Sequence, residues 1–452
     1  MPASLTGKAL ALSFGSVLQK SSTFIVIILL VRLLDKEMYG TYQQVLYVAG
    51  IVYGLFASGL AASVYYFVPR LSDAQRGRFA LQTVLIMATL GAVAAATVYG
   101  FGAQIAQLIK NPALEPALGY YAAYVFFWIA SDFFLPLLNA SGRYVSSMLF
   151  AVTESLTNAV FLVVPLFHGV DLPHAFLLLA GIAGLRYTIY LAVTVRLSKI
   201  RSVAGCLDTV GEQFRYSMPL TVSGWTDLVG GYLDKVVVSL VYSPAVVAIY
   251  AIGTIKIPLW EVVSKPINIV LRVRFAELIG AGRAAEIPPI WNEAVRKQSI
   301  VILPIIFLLG ATADHLIPLL FTNAYAESIS VFRISLLDKP LMIMSFSVLP
   351  LSMGRPDFLM KGSILFVIAN IVFMTILAPT LGLYGLVSAL VAAQYVHYAF
   401  YVYMIRRHLQ IPPSALFPVP ILLRIAASNG VAAVAAYVLG LLGYAIGALA
   451  MT

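Results

Sequence analysis

The chain has 452 residues, of which 61% are hydrophobic and only 11% charged, and its formal net charge is +10. An average globular chain is about 45–50% apolar and about 25% charged, so this chain carries too few charges to cover a water-soluble fold of its size. The composition excludes soluble enzymes, nucleic-acid binders and disordered scaffolds, and it predicts an integral membrane protein.

Thirteen apolar segments follow one another along the chain, each long enough to cross a bilayer, which takes about 20 residues. The first six lie near residues 9–34, 39–68, 79–103, 116–139, 144–168 and 173–199. Six more lie near 212–240, 244–279, 290–316, 326–351, 357–380 and 383–408, and a last one spans 419–449. A β-barrel would require alternation of apolar and polar residues, which runs such as 85–90 lack. The predicted fold class is therefore an all-α polytopic membrane protein.

An internal repeat predicts how these helices are grouped. Gly142-Arg143 recurs as Gly354-Arg355, and Asn158 recurs as Asn370 at the same offset of 212 residues. Six helices separate the repeats, so the halves share one orientation and surround a central cavity, which is an architecture of transporters. We predict two pseudo-symmetric six-helix lobes, 1–199 and 213–408, joined by a cytoplasmic linker at 200–212. The segment 419–449 is predicted as an additional transmembrane helix.

The loop charges predict the orientation. With the N-terminus in the cytoplasm, eighteen lysines and arginines fall in cytoplasmic loops, whereas only Lys36, Lys110 and Lys235 fall on the opposite side. Such an excess follows the positive-inside rule, and it explains the net charge without nucleic-acid binding. All loops are short, which argues against catalysis in a soluble domain.

Cysteine and histidine usage indicates neither disulfides nor metal. Cys206 is the single cysteine and the five histidines are scattered. One cysteine cannot close an intrachain disulfide, and no metal-ligand spacing is present. We expect no metal site and no cofactor, apart from possible coupling to a proton or sodium ion.

Several hairpin motifs carry a resemblance to a known family. These motifs are residues 33–42 with their Tyr-Gly-x-Tyr cluster, Leu233-Asp234-Lys235 with Ala248-Ile249-Tyr250, residues 319–325, and Asn370 followed by Leu377-Ala378-Pro379 and Tyr384-Gly385. In this order, over residues 5–408, they resemble the polysaccharide (O-antigen, Wzx-type) flippases of the multidrug/oligosaccharidyl-lipid/polysaccharide exporter superfamily. The loop at 69–78 is basic but lacks the motif spacing of the major facilitator class, which also has two parallel six-helix halves.

The resemblance implies a V-shaped, two-lobe flippase. Its substrate would be undecaprenyl-pyrophosphate-linked oligosaccharide, moved from the cytoplasmic to the periplasmic leaflet of the bacterial inner membrane for lipopolysaccharide or exopolysaccharide synthesis. The implied partners are this lipid-linked oligosaccharide, membrane lipids and the polysaccharide polymerase machinery.

Charged residues within the apolar segments are the candidate site residues. A charge at the bilayer centre costs about 2.5–3.5 kcal/mol on insertion scales, so such residues usually have a function or a partner. Cations in a watery cavity could bind the pyrophosphate. The alternative is that each pairs with a carboxylate and joins helices. The candidate cations are Lys20, Arg186, Lys256, Lys265 and Lys339.

Three intramembrane acids are candidates for ion coupling: Asp227, Glu154 and Asp132. A carboxylate that gains or loses a proton, or binds sodium, could bias a transporter between its inward and outward states. The alternative is a structural ion pair or hydrogen bond. Buried amides such as Gln19, Gln43, Asn158 and Asn370 could bind sugar hydroxyls. Interhelical hydrogen bonds are the favoured interpretation of these amides, above all for the two asparagines.

Three functions remain to be weighed. The favoured one is a lipid-linked oligosaccharide flippase, which is not an enzyme. The alternative within the superfamily is a cation-coupled multidrug or small-molecule exporter, for which acidic or aromatic lining should outweigh basic lining. A membrane glycosyltransferase or polymerase would need a large loop with catalytic carboxylates, which the short loops do not provide.

Overall fold

The computed structural model describes residues 5–57, 59–198, 200, 206–257, 259–355, 357–420 and 422–431. All regular structure in these residues is helical, as predicted. Their contacts divide the chain into two compact units, Met1–Ala248 and Ile249–Thr452.

The first unit contains nine helices and the start of a tenth. They are α1 (Leu5–Leu33), α2 (Lys36–Phe56), α3 (Leu60–Phe67), α4 (Asp73–Ile109), α5 (Leu114–Ser131), α6 (Phe134–Ala140), α7 (Tyr144–Phe167), α8 (Leu172–Ser198) and α9 (Val210–Val241), with a 3₁₀ turn at Val68–Arg70.

The second unit begins within α10 and contains the remaining helices. They are α10 (Pro244–Gly253), α11 (Leu259–Gly280), α12 (Ile287–Phe321), α13 (Ser328–Ser335), α14 (Pro340–Ile343), α15 (Val348–Ser352), α16 (Asp357–Leu381), α17 (Leu383–Leu409) and α18 (Pro413–Leu416). Three 3₁₀ turns lie at Ala284–Glu286, Asn323–Tyr325 and Leu336–Asp338, and residues 419–420 and 422–431 are also helical. Most of the predicted last helix, from residue 432 onward, lies outside the described residues.

Within the described residues, nine helices are long and apolar enough to cross a membrane, or ten if the bent pair Lys36–Phe56 and Leu60–Arg70 is one span. This is fewer than the thirteen predicted segments. The helix α9 lies where the seventh segment was predicted, but it carries Asp227, Asp234 and Lys235, which lower its hydropathy. The eighth predicted segment is interrupted between α10 and α11.

The helix ends follow from local chemistry that repeats in both units. Gly142 and Gly354 have φ angles of 75° and 66°, a left-handed conformation that glycine adopts without strain. In each turn, the glycine N–H donates to the carbonyl three residues earlier and the following arginine N–H to the carbonyl five residues earlier, at 2.8–3.1 Å. This is the Schellman pattern of a helix C-terminus. The sequence repeat at Gly142 and Gly354 therefore corresponds to a repeated turn.

The helix α9 packs with the first unit, whereas the sequence placed the lobe boundary before it, at 200–212. The Gln213 amide nitrogen donates to Ser63 at 2.9 Å and to Thr83 at 3.1 Å, and its oxygen accepts from Gln82 at 2.7 Å. Farther along α9, the Trp225 indole N–H donates to the Leu55 carbonyl at 3.2 Å. A buried polar anchor thus holds α9 against α3 and α4.

A close backbone contact joins α2 to the start of α10 within the first unit. A Cβ built on Gly40 would lie 1.8 Å from the Pro244 carbonyl oxygen. Only glycine allows this approach, which explains the glycine in the Tyr-Gly-x-Tyr cluster. In the second unit, Gly385 plays the same part, because its Cβ would lie 2.1 Å from the Leu377 carbonyl oxygen across the hairpin of α16 and α17.

Candidate functional site

A polar cavity of about 370 Å³ lies inside the first unit, and we call it the first-unit cavity. It is bounded by α1, α2, α5, α7 and α8. Its polar and aromatic lining includes Gln19, Gln43, Tyr124, Trp128, Glu154 and Asn158. On α1 the lining positions are 19, 22, 23, 26 and 27, a single helical face.

Arg186 lies on α8 beside this cavity and is only 9% exposed. Its Nη1 donates to Asn158 Oδ1 at 2.6 Å, to Thr157 Oγ1 at 2.7 Å and to the Glu154 carbonyl at 3.3 Å. Its Nη2 lies 3.9 Å from Glu154 Oε1. The guanidinium is therefore bound to one turn of α7, and it supports the interpretation that this cation pairs with an acid and joins helices.

Asn158 connects Arg186 on α8 to Tyr124 on α5. Its Nδ2 donates to the Tyr124 hydroxyl at 3.0 Å, while its Oδ1 accepts from Arg186. The three side chains form a chain of hydrogen bonds from α8 through α7 to α5. This is the interhelical role expected of Asn158. Its repeat counterpart differs: Asn370 on α16 is fully buried, and neither of its side-chain polar atoms has a hydrogen-bond partner among the described residues.

Glu154 is the acid of the first-unit cavity. Besides Arg186, its Oε2 accepts a long hydrogen bond of 3.4 Å from the Tyr190 hydroxyl. Asp132 caps the C-terminus of α5 and is hydrogen-bonded to Tyr53. It does not line the cavity. The structure thus places one of the three predicted acids in the cavity and a second at the end of a lining helix.

Four of the predicted cations, Lys20, Lys256, Lys265 and Lys339, are not among the residues that line the first-unit cavity. Lys20 is half-buried on α1, and the side chain of Asp227 on α9 lies outside the described part of the structure. Lys256 is exposed in the connection between α10 and α11, not within a continuous helix as predicted, and Lys265 is exposed on α11. The break comes directly before Pro258, and a residue that precedes proline disfavours the α conformation.

Lys339 is paired with the neighbouring acid Asp338, as in the alternative interpretation of the candidate cations. Its Nζ lies 2.6 Å from Asp338 Oδ1. The predicted continuous helix is broken here, because a 3₁₀ turn at Leu336–Asp338 runs into Pro340 at the start of α14. Adjacent residues diverge on a regular α-helix but can meet where the helix is interrupted.

A larger, apolar cavity of about 960 Å³ lies in the second unit, between α12, the α13–α14 segment and the helix that includes residues 422–431. Among the described residues that line it, the one with a charge is Arg333, whose Nη2 lies 2.6 Å from Asp314 Oδ2 and whose Nε donates to the Gly310 carbonyl. Among the described residues, no group of three or more His, Cys, Asp or Glu side chains could hold a metal ion.

The family model described as "Polysaccharide biosynthesis protein" matches residues 5–269, which is more than half of the chain. The chain belongs to this polysaccharide biosynthesis family. The resemblance seen in the hairpin motifs is therefore confirmed. A search of curated proteins finds no match.

Solved structures share the fold of this polysaccharide biosynthesis family member at low identity. The lipid II flippase MurJ, in an inward closed conformation, is 12% identical, with a TM-score of 0.72 over 95% of this chain and 92% of that one. An inward-facing multidrug resistance transporter of the MATE family and MOP superfamily is 16% identical, with a TM-score of 0.67 over 88% and 95%. A MOP superfamily transporter from Pyrococcus furiosus is 15% identical, with a TM-score of 0.59 over 90% and 94%. These three proteins are a flippase and two transporters, and what they share with this chain is the fold.

Sequence reasoning missed the aromatic wall of the cavity in this family member. Tyr121, Tyr124 and Trp128 all line the cavity, and their spacing places them on one face of α5. The Trp128 ring stacks on Tyr53, with centroids 4.4 Å apart and planes 11° apart. The i, i+3, i+7 spacing of large aromatic residues beside polar helices was the signal that could have indicated a ligand surface.

Proposed function

We propose that the chain is a flippase that moves an undecaprenyl-pyrophosphate-linked oligosaccharide from the cytoplasmic to the periplasmic leaflet by alternating access. The observation that carries the proposal is the family match over residues 5–269. The fold shared with a lipid II flippase over 95% of the chain supports it. The polar first-unit cavity provides a surface suited to the sugar part of such a substrate.

The alternative is a cation-coupled small-molecule exporter, which the shared fold with MATE transporters also supports. Such an exporter requires an acid that can meet an organic cation. Glu154 lies next to the Arg186 guanidinium, so the first-unit cavity has no net negative charge from this pair. This favours the flippase.

The test of the proposed function is complementation of a bacterial strain that lacks its polysaccharide flippase. The wild-type chain should restore surface glycan and relieve the accumulation of lipid-linked oligosaccharide on the cytoplasmic side.

We propose that cations in a central cavity bind the pyrophosphate. Alanine at Lys20, Lys256 or Lys265 should therefore lower surface glycan at unchanged protein level, whereas Lys297→Ala, at an exposed lysine paired with Glu293, should not. Full surface glycan in all three variants would contradict the cationic binding site.

Energy coupling is proposed to use Asp132 or Asp227 rather than Glu154, because Arg186 already provides Glu154 with a counter-charge. Adding a protonophore, and separately a sodium ionophore, to cells in the same assay identifies the ion. The polysaccharide polymerase machinery remains the proposed recipient of the flipped oligosaccharide.

We further propose that the protein lies in the bacterial inner membrane with its N-terminus in the cytoplasm. The chain's one cysteine, Cys206, allows a direct test, since Cys206→Ser gives a cysteine-free background. A cysteine at exposed His168 should react with a membrane-impermeant maleimide in spheroplasts, whereas one at exposed Ser141 should react only after lysis. The reverse labelling pattern would place the N-terminus outside.

A further inference from the structure

We propose that the first-unit cavity binds a sugar residue of the transported glycan, an inference that rests on the proposed flippase function and names a binding site for part of its substrate. Its volume of about 370 Å³ has room for a hexose. It also falls within the range of about 300–1,000 Å³ typical of small-ligand sites.

The lining offers the groups that recognise a neutral, hydroxyl-rich ligand. The Gln43 side chain gives one amide proton to the Tyr39 hydroxyl at 2.7 Å, which leaves its carbonyl oxygen and second proton. The Glu154 contacts to Arg186 and Tyr190 are long, at 3.9 and 3.4 Å, so its oxygens keep acceptor capacity. Gln19 adds a further amide. Amides both donate and accept, as a sugar hydroxyl does, so these groups match it in either role.

Aromatic rings provide the apolar half of the site. Tyr53 stacks on one face of the Trp128 ring but does not itself line the cavity. A ligand would therefore contact the part of the indole that Tyr53 does not cover. Tyr124 lies one helical turn away on α5, with its ring centroid 6.2 Å from that of Trp128. Its hydroxyl is held by Asn158 at 3.0 Å. The C–H face of a pyranose packs on such rings, while its hydroxyls reach the amides and the carboxylate.

Charge distinguishes a sugar from the other ligands that a cavity in such a protein could take. A pyrophosphate needs cations in the lining, but the described lining contains no lysine or arginine, and Arg186 beside it is bound to α7 through Nη1. An organic cation needs an unbalanced acid, but Glu154 has Arg186 beside it. The Arg186–Glu154 pair therefore leaves the first-unit cavity polar without net charge, and Arg186 acts as a positioning residue for the wall formed by Asn158 and Tyr124.

The test is saturation-transfer NMR on the purified full-length protein in nanodiscs. The probes are the methyl glycosides of glucose, galactose, mannose, N-acetylglucosamine, rhamnose and fucose, with tetraphenylphosphonium as a charged comparison that is observed directly. Inorganic pyrophosphate, which has no carbon-bound protons, is added as a competitor of the glycoside signal. At least one glycoside should show transfer to its ring protons. Trp128→Leu should weaken that binding roughly tenfold, the effect of losing about 1.4 kcal/mol of contact.

Two further variants keep the result interpretable. Gln19→Leu removes a cavity amide on exposed α1 and should also weaken the binding, in a protein with an unchanged elution profile. Tyr99→Leu replaces an aromatic residue that is 73% exposed on α4, away from the cavity, and should leave glycoside binding unchanged.

Absence of transfer from every glycoside, equal binding by Trp128→Leu and wild type, or tighter binding of either charged probe at this cavity would overturn the proposal. A chain that complements the flippase-deficient strain but binds no glycoside loses only this inference, whereas one that binds glycosides but fails to complement loses the proposed function.

Discussion

Replacing Arg186 with leucine is expected to destabilise the first unit severely. The substitution removes the hydrogen bonds to Asn158, Thr157 and the Glu154 carbonyl, and it leaves the largely buried Glu154 carboxylate at the edge of the first-unit cavity without its counter-charge. Breaking a buried ion pair by removing one partner costs about 3–5 kcal/mol, since the remaining charge stays desolvated. We expect a large fall in the fraction of protein that stays monodisperse on heating in detergent, measured by size-exclusion chromatography.

The double variant separates the charge from the packing. Arg186→Leu combined with Glu154→Leu removes both members of the pair, so much of the lost thermal stability should return. Arg196→Leu, on the same helix but at an exposed position, should leave the stability unchanged. If Arg186→Leu and the double variant have the same melting temperature, the Arg186–Glu154 pair does not contribute the expected stability.

The helical class and the positions of most helices could be predicted because hydropathy reports burial in lipid directly. The predicted segments at 144–168 and 173–199 differ from α7 and α8 by at most one residue at each end. The turns at Gly142 and Gly354 were also readable, because glycine in a left-handed turn leaves a sequence signature. Interruptions were harder: the predicted helix 326–351 is divided into α13, a 3₁₀ turn, α14 and α15, since apolar runs look the same whether or not they are bent.

Only some of the residues at the first-unit cavity could be named from the sequence, and the contacts between them could not. Arg186 and Glu154 were both named, yet they were given separate roles. Their meeting follows from the hairpin of α7 and α8: Glu154 lies 13 residues before Phe167 (167 − 154) and Arg186 lies 14 residues after Leu172 (186 − 172), which is equal depth. Equal depth still does not show that two side chains share one face. That depends on how each helix is rotated about its axis, which the packing of α8 against α5 and of α7 against α1 decides.

Replacing Gly40 with alanine is the second change for which a large effect is expected. The added methyl group would lie 1.8 Å from the Pro244 carbonyl oxygen and 2.3 Å from its carbonyl carbon. Because the obstacle is backbone, it cannot rotate away as a side chain could, and α2 must separate from the start of α10. Overpacking of a filled core typically costs about 1–3 kcal/mol, and this contact belongs at the upper end. We expect a lower melting temperature in detergent and reduced surface glycan in the complementation assay.

Gly100→Ala is the matched control for this experiment. Gly100 lies in the middle of α4, and a Cβ there meets no atom within 4 Å. Alanine favours a helix over glycine by about 1 kcal/mol, so this variant should be at least as stable as the wild type. Equal melting of the two variants would contradict the close approach of α2 to α10. A lower melting temperature for Gly40→Ala alone would instead explain the glycine of the Tyr-Gly-x-Tyr cluster, because Gly40 lies between the buried Tyr39 and Tyr42 at the point where α2 touches Pro244.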